Sequence, residues 1–103
     1  MTWITAQDVA DYLDLPGPDA RMTAEVEAVA DYVESVRSDL DYQAVPPRVK
    51  RGAVALAAER YQRRSAPSGF AGYGDGADLY EGLSATARSD IYRLLGIRRP
   101  LAA

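Results

Sequence analysis

Apolar and polar positions follow helical spacing in four separate stretches of this chain. In the first, Val9, Tyr12 and Leu13 share one side of a helix predicted to start after Thr5. Thr5 is a suitable cap, Asp8 occupies the third helical position, and Ile4 with Val9 has the spacing of a hydrophobic staple. Asp8 and Asp11 also favour the helix dipole at this end. "LPGPD" then ends the helix, because Pro16 and Pro18 cannot continue it.

The second stretch has the strongest pattern. Met22, Val26, Val29, Ala30, Val33, Val36 and Leu40 step by three and four, predicting a helix from about Thr23 to Ser38 with one apolar stripe. Glu27, Asp31 and Glu34 share its other face and read as a solvated row, with a binding face as the alternative. "VPPRVK" opens a third helix, with proline where the first turn has no intrahelical donor to lose. It is predicted to reach about Arg64, with Val49, Ala53, Leu56, Ala57 and Tyr61 on its inner side. Small residues from Gly52 to Ala58 would let another helix approach closely. By helical angle Arg60 and Arg64 lean towards the apolar half, whereas Arg48, Arg51 and Arg63 lie outside it. The fourth helix starts at the cap Ser84 and runs to Leu95, with Ala87, Ile91, Leu94 and Leu95 apolar and Gly96 as a left-handed stop.

These elements predict a small all-α, four-helix domain with a long Gly/aromatic loop. That loop, residues 65–82, reads "SAPSGFAGYGDGADLYEG" and has no helical period. Connections in compact domains usually take about 4–6 residues. Phe70, Tyr73, Leu79 and Tyr80 make this one more apolar than a solvated linker needs, so the side chains call for cover from some other surface. Its glycines allow tight turns and leave room for a short β-hairpin.

Length changes the picture little: 103 residues predict one domain spanning 1–103. No apolar run approaches the roughly 18 residues that span a bilayer, so no membrane partner is expected. "MTWITAQDVADYL" carries no basic residue and no signal-like apolar core, which argues against secretion. With no cysteine and no histidine, the chain lacks thiolate ligands, the commonest general base and the commonest metal ligand.

Charge is more informative, because it is segregated. Residues 1–45 carry ten acids against Arg21 and Arg37, a net of −8, whereas residues 46–64 carry a net of +5. Residues 65–90 contribute −3 and 91–103 contribute +3. Intrachain pairing, nucleic acid or a second copy of the chain would each suit such asymmetry.

Chemical motifs are sparse. "GFAGYGDG" lacks the Gly-Lys-Ser/Thr ending of a phosphate-binding loop and the strand-turn-helix setting of a dinucleotide site. "DGADLYE" does not match calcium-loop spacing. Ser65, Ser68, Ser84 and Ser89 have no histidine to activate them, so no catalytic, cofactor or metal residue is assigned. Nucleic-acid binding through the basic third helix, residues 48–64, is the rival reading. Against it stand the overall acidity of the chain and a "SDLDYQAVPP" connection too long for a helix-turn-helix unit.

Taken in order, "TAQDVADYLDLP", the helix ending near "VESVRSDL", "VPPRVKRGAVALAAERYQRRSAPSGFAGYG" and "IYRLLGIRR" resemble phage head–tail connector (head-completion) proteins. Residues 46–74 carry the most specific part of the likeness, and "RLLGIRR" a weaker one. The "ADLYEGLS" segment departs from the family's usual pattern. The resemblance implies a virion protein of the neck, made in the bacterial cytoplasm. It implies a ring, typically of twelve copies, docked below the portal. Such a ring extends the DNA channel and offers a platform to the next connector, stopper or tail protein, with DNA passing through unread.

On that reading 65–82 is an assembly loop whose Phe70, Tyr73, Leu79 and Tyr80 pack on a neighbouring subunit, the portal or the next ring. In a cyclic ring one face of each copy meets a different face of the next. Arg60, Arg63 and Arg64 would then meet acids of a neighbour's first two helices. The resemblance places the tail, residues 97–103 with Arg98, Arg99, Pro100 and Leu101, near the portal. A frayed end is its other reading.

Overall fold

The computed structural model describes residues 3–63, 80 and 83–97. Four helices account for most of them: α1 (Ala6–Leu13), α2 (Ala20–Val36), α3 (Pro47–Gln62) and α4 (Ala85–Leu95). The all-α class expected from the pattern is what the chain adopts, and no strand occurs among the described residues. The segment with room for a hairpin lies mostly outside them.

Local chemistry sets each helix end. At α1 the Asp8 amide donates to Thr5 Oγ1 over 3.2 Å and the Thr5 amide donates to Asp8 Oδ2 over 2.9 Å, a complete capping box. Ile4 and Val9 are both buried beside it, as the staple requires. The helix stops before either proline. Asp14 adopts a left-handed φ of 61°, and the Leu15 amide reaches back to the Ala10 carbonyl over 2.8 Å. Tyr12, expected on the buried face, is 56% exposed; Ala10 is buried with Val9 instead.

Helix α2 begins three residues earlier than its stripe suggested, because Asp19 caps it by accepting from the Met22 amide over 2.9 Å. Met22, Val26, Val29 and Val33 are buried, but the helix ends before the stripe does, leaving Val36 43% exposed. Helix α3 is the hub. It packs against all three other helices, and α1 also packs on α2. Its buried set is wider than one stripe: Val49, Gly52, Ala53, Val54, Leu56, Ala57 and Ala58. Gly52 permits the closest approach. A Cβ there would lie 2.9 Å from Leu94 Cβ and 3.1 Å from Leu95 Cγ, closer than carbon atoms pack without displacement. Ser84 caps α4, accepting from the Ala87 amide over 3.1 Å, and Gly96 ends it with φ of 72°.

Arg37 fixes that last turn of α4 to the end of α2. Its Nη1 donates to the Leu95 carbonyl over 2.8 Å, while Nε and Nη2 make a two-point contact with Asp39 at 3.0 and 2.9 Å. An arginine at the C-terminal carbonyls of a helix satisfies acceptors that have no intrahelical donor. The Asp39 partner raises the guanidinium pKa, and Arg37 in turn lowers that of the Asp39 carboxyl.

Candidate assembly surface

Of the residues expected to meet other polypeptides, Arg64, Phe70, Tyr73, Leu79, Arg98, Arg99, Pro100 and Leu101 lie outside the described residues. Tyr80 is described, and its position corrects the expectation. It is 3% exposed and covered by its own chain. Its ring stacks on Tyr92 with centroids 4.8 Å apart and meets the Tyr32 ring edge-on at 5.6 Å. The Tyr80 and Tyr32 hydroxyls are 2.6 Å apart, and Arg88 Nη2 donates to the Tyr80 carbonyl over 3.4 Å. Burial raises the pKa of both phenols. The physical reason is that α2 and α4 both pack on α3: each contributes one ring, and together they form a slot that a third aromatic fills.

Arg60 also turns inward. It lies on the side of α3 that carries Val49, Ala53 and Leu56, and there Nε meets Glu25 Oε1 of α2 at 2.6 Å. Its side chain is 18% exposed and that of Glu25 21%. The expected neighbour's acid is thus replaced by one from the same chain. Arg63 is half-buried, 3.7 Å from Glu59 one turn back. Its Nε and that of Arg88 are buried with no acceptor among the described residues.

A second link between the two charge blocks joins Lys50 Nζ to Asp8 Oδ2 at 3.4 Å. Part of the segregated charge is therefore spent inside the molecule. Two sets remain outward. On α3, Arg48 and Arg51 are exposed, with no hydrogen bond or ion pair among the described residues; on α2 the same holds for Glu27 and Asp31. Glu34, placed with them by the pattern, instead accepts from Trp3 Nε1 over 2.8 Å, and Trp3 packs on Tyr42 at 5.3 Å.

These two outward sets face opposite ways. The α2 acids lie across their helix from Met22, Val29 and Val33, which pack inward. At 100° per residue, the Arg48–Arg51 strip lies about 150° around α3 from Arg60, the side that reaches α2. One charged strip therefore sits on each side of the α2–α3 pair.

Sequence reasoning missed Trp3, Asp19, Arg37 and the Tyr32–Tyr92 slot. Asp19 had a usable signal, an Asx three residues before the first apolar position of a helix. Arg37 had none for its hold on α4, since the Leu95 carbonyl lies 58 positions away. Asp19 serves twice, for Tyr61 also donates to its Oδ2 over 2.7 Å; the Met22 amide and this hydroxyl lower its pKa.

No group of three or more metal-capable His, Cys, Asp or Glu side chains occurs among the described residues, and none of their helices is long and apolar enough to cross a membrane. No protein-family model, curated protein or solved structure matches the chain.

Proposed function

We propose that this protein is a structural adaptor of the phage neck, assembling as a ring between the portal and the next connector, stopper or tail component. The observation that carries the reading is where its two most specific segments meet. Residues 46–74 supply α3, and "IYRLLGIRR" supplies the end of α4. They touch at Gly52, where Leu94 and Leu95 approach too closely for a Cβ to fit without displacement. An adaptor needs a small rigid unit that holds connecting segments at fixed points. The α3–α4 contact provides one: the segment after α3 is fixed again at Tyr80, and the tail leaves from the Arg37-held end of α4.

In this role Phe70, Tyr73 and Leu79 supply partner contacts, Tyr80 anchors their segment, and Arg98, Arg99, Pro100 and Leu101 dock towards the portal. Twelve copies, DNA passing through the ring unread, and no catalysis complete the proposal. Imaging of particles from a phage that encodes this chain tests it. A ring of this protein at the portal vertex is the expected result. Complete virions without it, by imaging and by mass spectrometry, refute the reading. The rival reading, a DNA-binding regulator, draws on the exposed Arg48 and Arg51; salt-sensitive duplex binding by a monomer or dimer would favour it.

A further inference from the structure

We propose that Arg48 and Arg51 of α3 dock on Glu27 and Asp31 of α2 in a second copy of this chain, forming a head-to-tail contact. The inference rests on the adaptor reading for its choice of partner, and on three observations for its choice of surface. First, both strips are exposed and make no hydrogen bond or ion pair among the described residues, whereas Lys50, Arg60, Asp8 and Glu25 are paired within the chain. Second, the strips lie on opposite sides of the α2–α3 pair. A molecule with complementary faces pointing apart joins its copies heterologously, each using both faces. Had the strips shared one side, a closed two-fold dimer would be the natural product.

Third, the cations stand where their own helix does not favour them. Arg48, Lys50 and Arg51 crowd the start of α3, and its first turn contains no acid. Positive charge in the first turn of a helix, here Arg48, costs about 0.3–1 kcal/mol, and the effect fades beyond that turn, where Arg51 stands. Asp8 compensates Lys50, but among the described residues nothing compensates the two arginines. An acidic face from outside would. Spacing agrees as well. Glu27 and Asp31 are four residues apart, Arg48 and Arg51 three, so each pair spans close to one turn, about 4.5–6 Å along its axis. Two helices lying side by side can form both ion pairs at once. Small neighbours, Ala24 exposed beside the acids on α2 and Ala55 half-buried between the arginines on α3, allow the helices to come close.

The chain contains no cysteine, so disulfide trapping between single-cysteine variants tests the contact directly. Asp31→Cys and Arg51→Cys are mixed in equal amounts at low salt and oxidised, and the products are separated by mass. Both positions are exposed, so the folded state should tolerate the changes. The mixed dimer should form at least about tenfold faster than either same-site dimer, the scale of electrostatic steering, and high salt should abolish the preference. Asp31→Cys with Ser89→Cys, an exposed site off both strips, should pair without preference. Unbiased pairing of 31 with 51 at low salt overturns the proposal. So does binding of a labelled DNA duplex that Arg48→Glu/Arg51→Glu removes, since the strip would then belong to phosphate. Vertex imaging separates this from the adaptor reading. A vertex ring with unbiased trapping removes this surface alone; preferential trapping without a vertex ring removes the adaptor and leaves a self-associating protein.

Discussion

Tyr80→Ala should destabilise the isolated subunit severely. The ring is 3% exposed and packs on two other rings, at 4.8 and 5.6 Å, so truncation opens a cavity bounded by helices that cannot readily collapse into it. Aromatic-to-alanine changes at such sites cost about 3–5 kcal/mol. That is a large part of the roughly 5–15 kcal/mol that holds a domain of this size. At about 4–8 °C per kcal/mol, the midpoint should fall by at least about 12 °C. Tyr80→Phe isolates the polar part. It keeps the rings and leaves the Tyr32 hydroxyl without its partner at 2.6 Å, which costs about 1 kcal/mol. Removing both hydroxyls in Tyr32→Phe/Tyr80→Phe should cost less than the sum of the single changes, because no orphan is left. Thermal and urea unfolding followed by circular dichroism measure all five proteins: wild type, Tyr80→Ala, the two single phenylalanine variants and their double. Dilute samples at two concentrations keep association out of the midpoints. If Tyr80→Ala melts within about 2 °C of wild type, the ring contributes nothing to its own subunit and the argument fails.

Arg60→Glu should lower stability by about 2 kcal/mol by setting two carboxylates against each other, and Glu25→Arg/Arg60→Glu should recover most of it in the same unfolding assay. Unchanged stability in the single variant would show that the pair is not held. Gly52→Val should cost about 2–3 kcal/mol by forcing α4 away. Gly52→Ala should cost less, since alanine's helix propensity returns about 1 kcal/mol; a Gly52→Val protein as stable as wild type would disprove the close approach. Burial raises the phenol pKa of Tyr32, Tyr42 and Tyr80 above 10.0, so their contribution is fully present below pH 10. Above it the unfolded chain releases protons that the folded chain retains, and stability falls as pH rises. Tyr80→Phe should flatten that alkaline slope, and an equal slope in both proteins would contradict the burial.

Helix existence, and most helix ends, could be read from the chain because they depend on residues within four positions of one another. Thr5 with Asp8, Ser84 with Ala87 and Gly96 with its left-handed turn are contacts of this kind. Val36 and Tyr12 were misplaced because periodicity shows which side of a helix is apolar, not where the packing against it ends. Arg60 was leaning inward by angle alone, but only the fold brings Glu25 to it. Tyr80 looked like part of an unfinished loop because its slot is made from Tyr32 and Tyr92, on two helices far away in sequence. The outward strips were half visible. Glu27 and Asp31 were in the predicted row, and Arg48 and Arg51 were outside the apolar half, but which charges were already used internally required the tertiary contacts.

Anchoring at Tyr80 also bears on how freely this chain can vary. Tyr32, Tyr80 and Tyr92 hold one another, the hydroxyls of the first two 2.6 Å apart and the rings of the last two 4.8 Å apart. Residues in direct contact do not act independently on stability. A substitution at any one of the three should therefore persist in a lineage only beside an answering change at another.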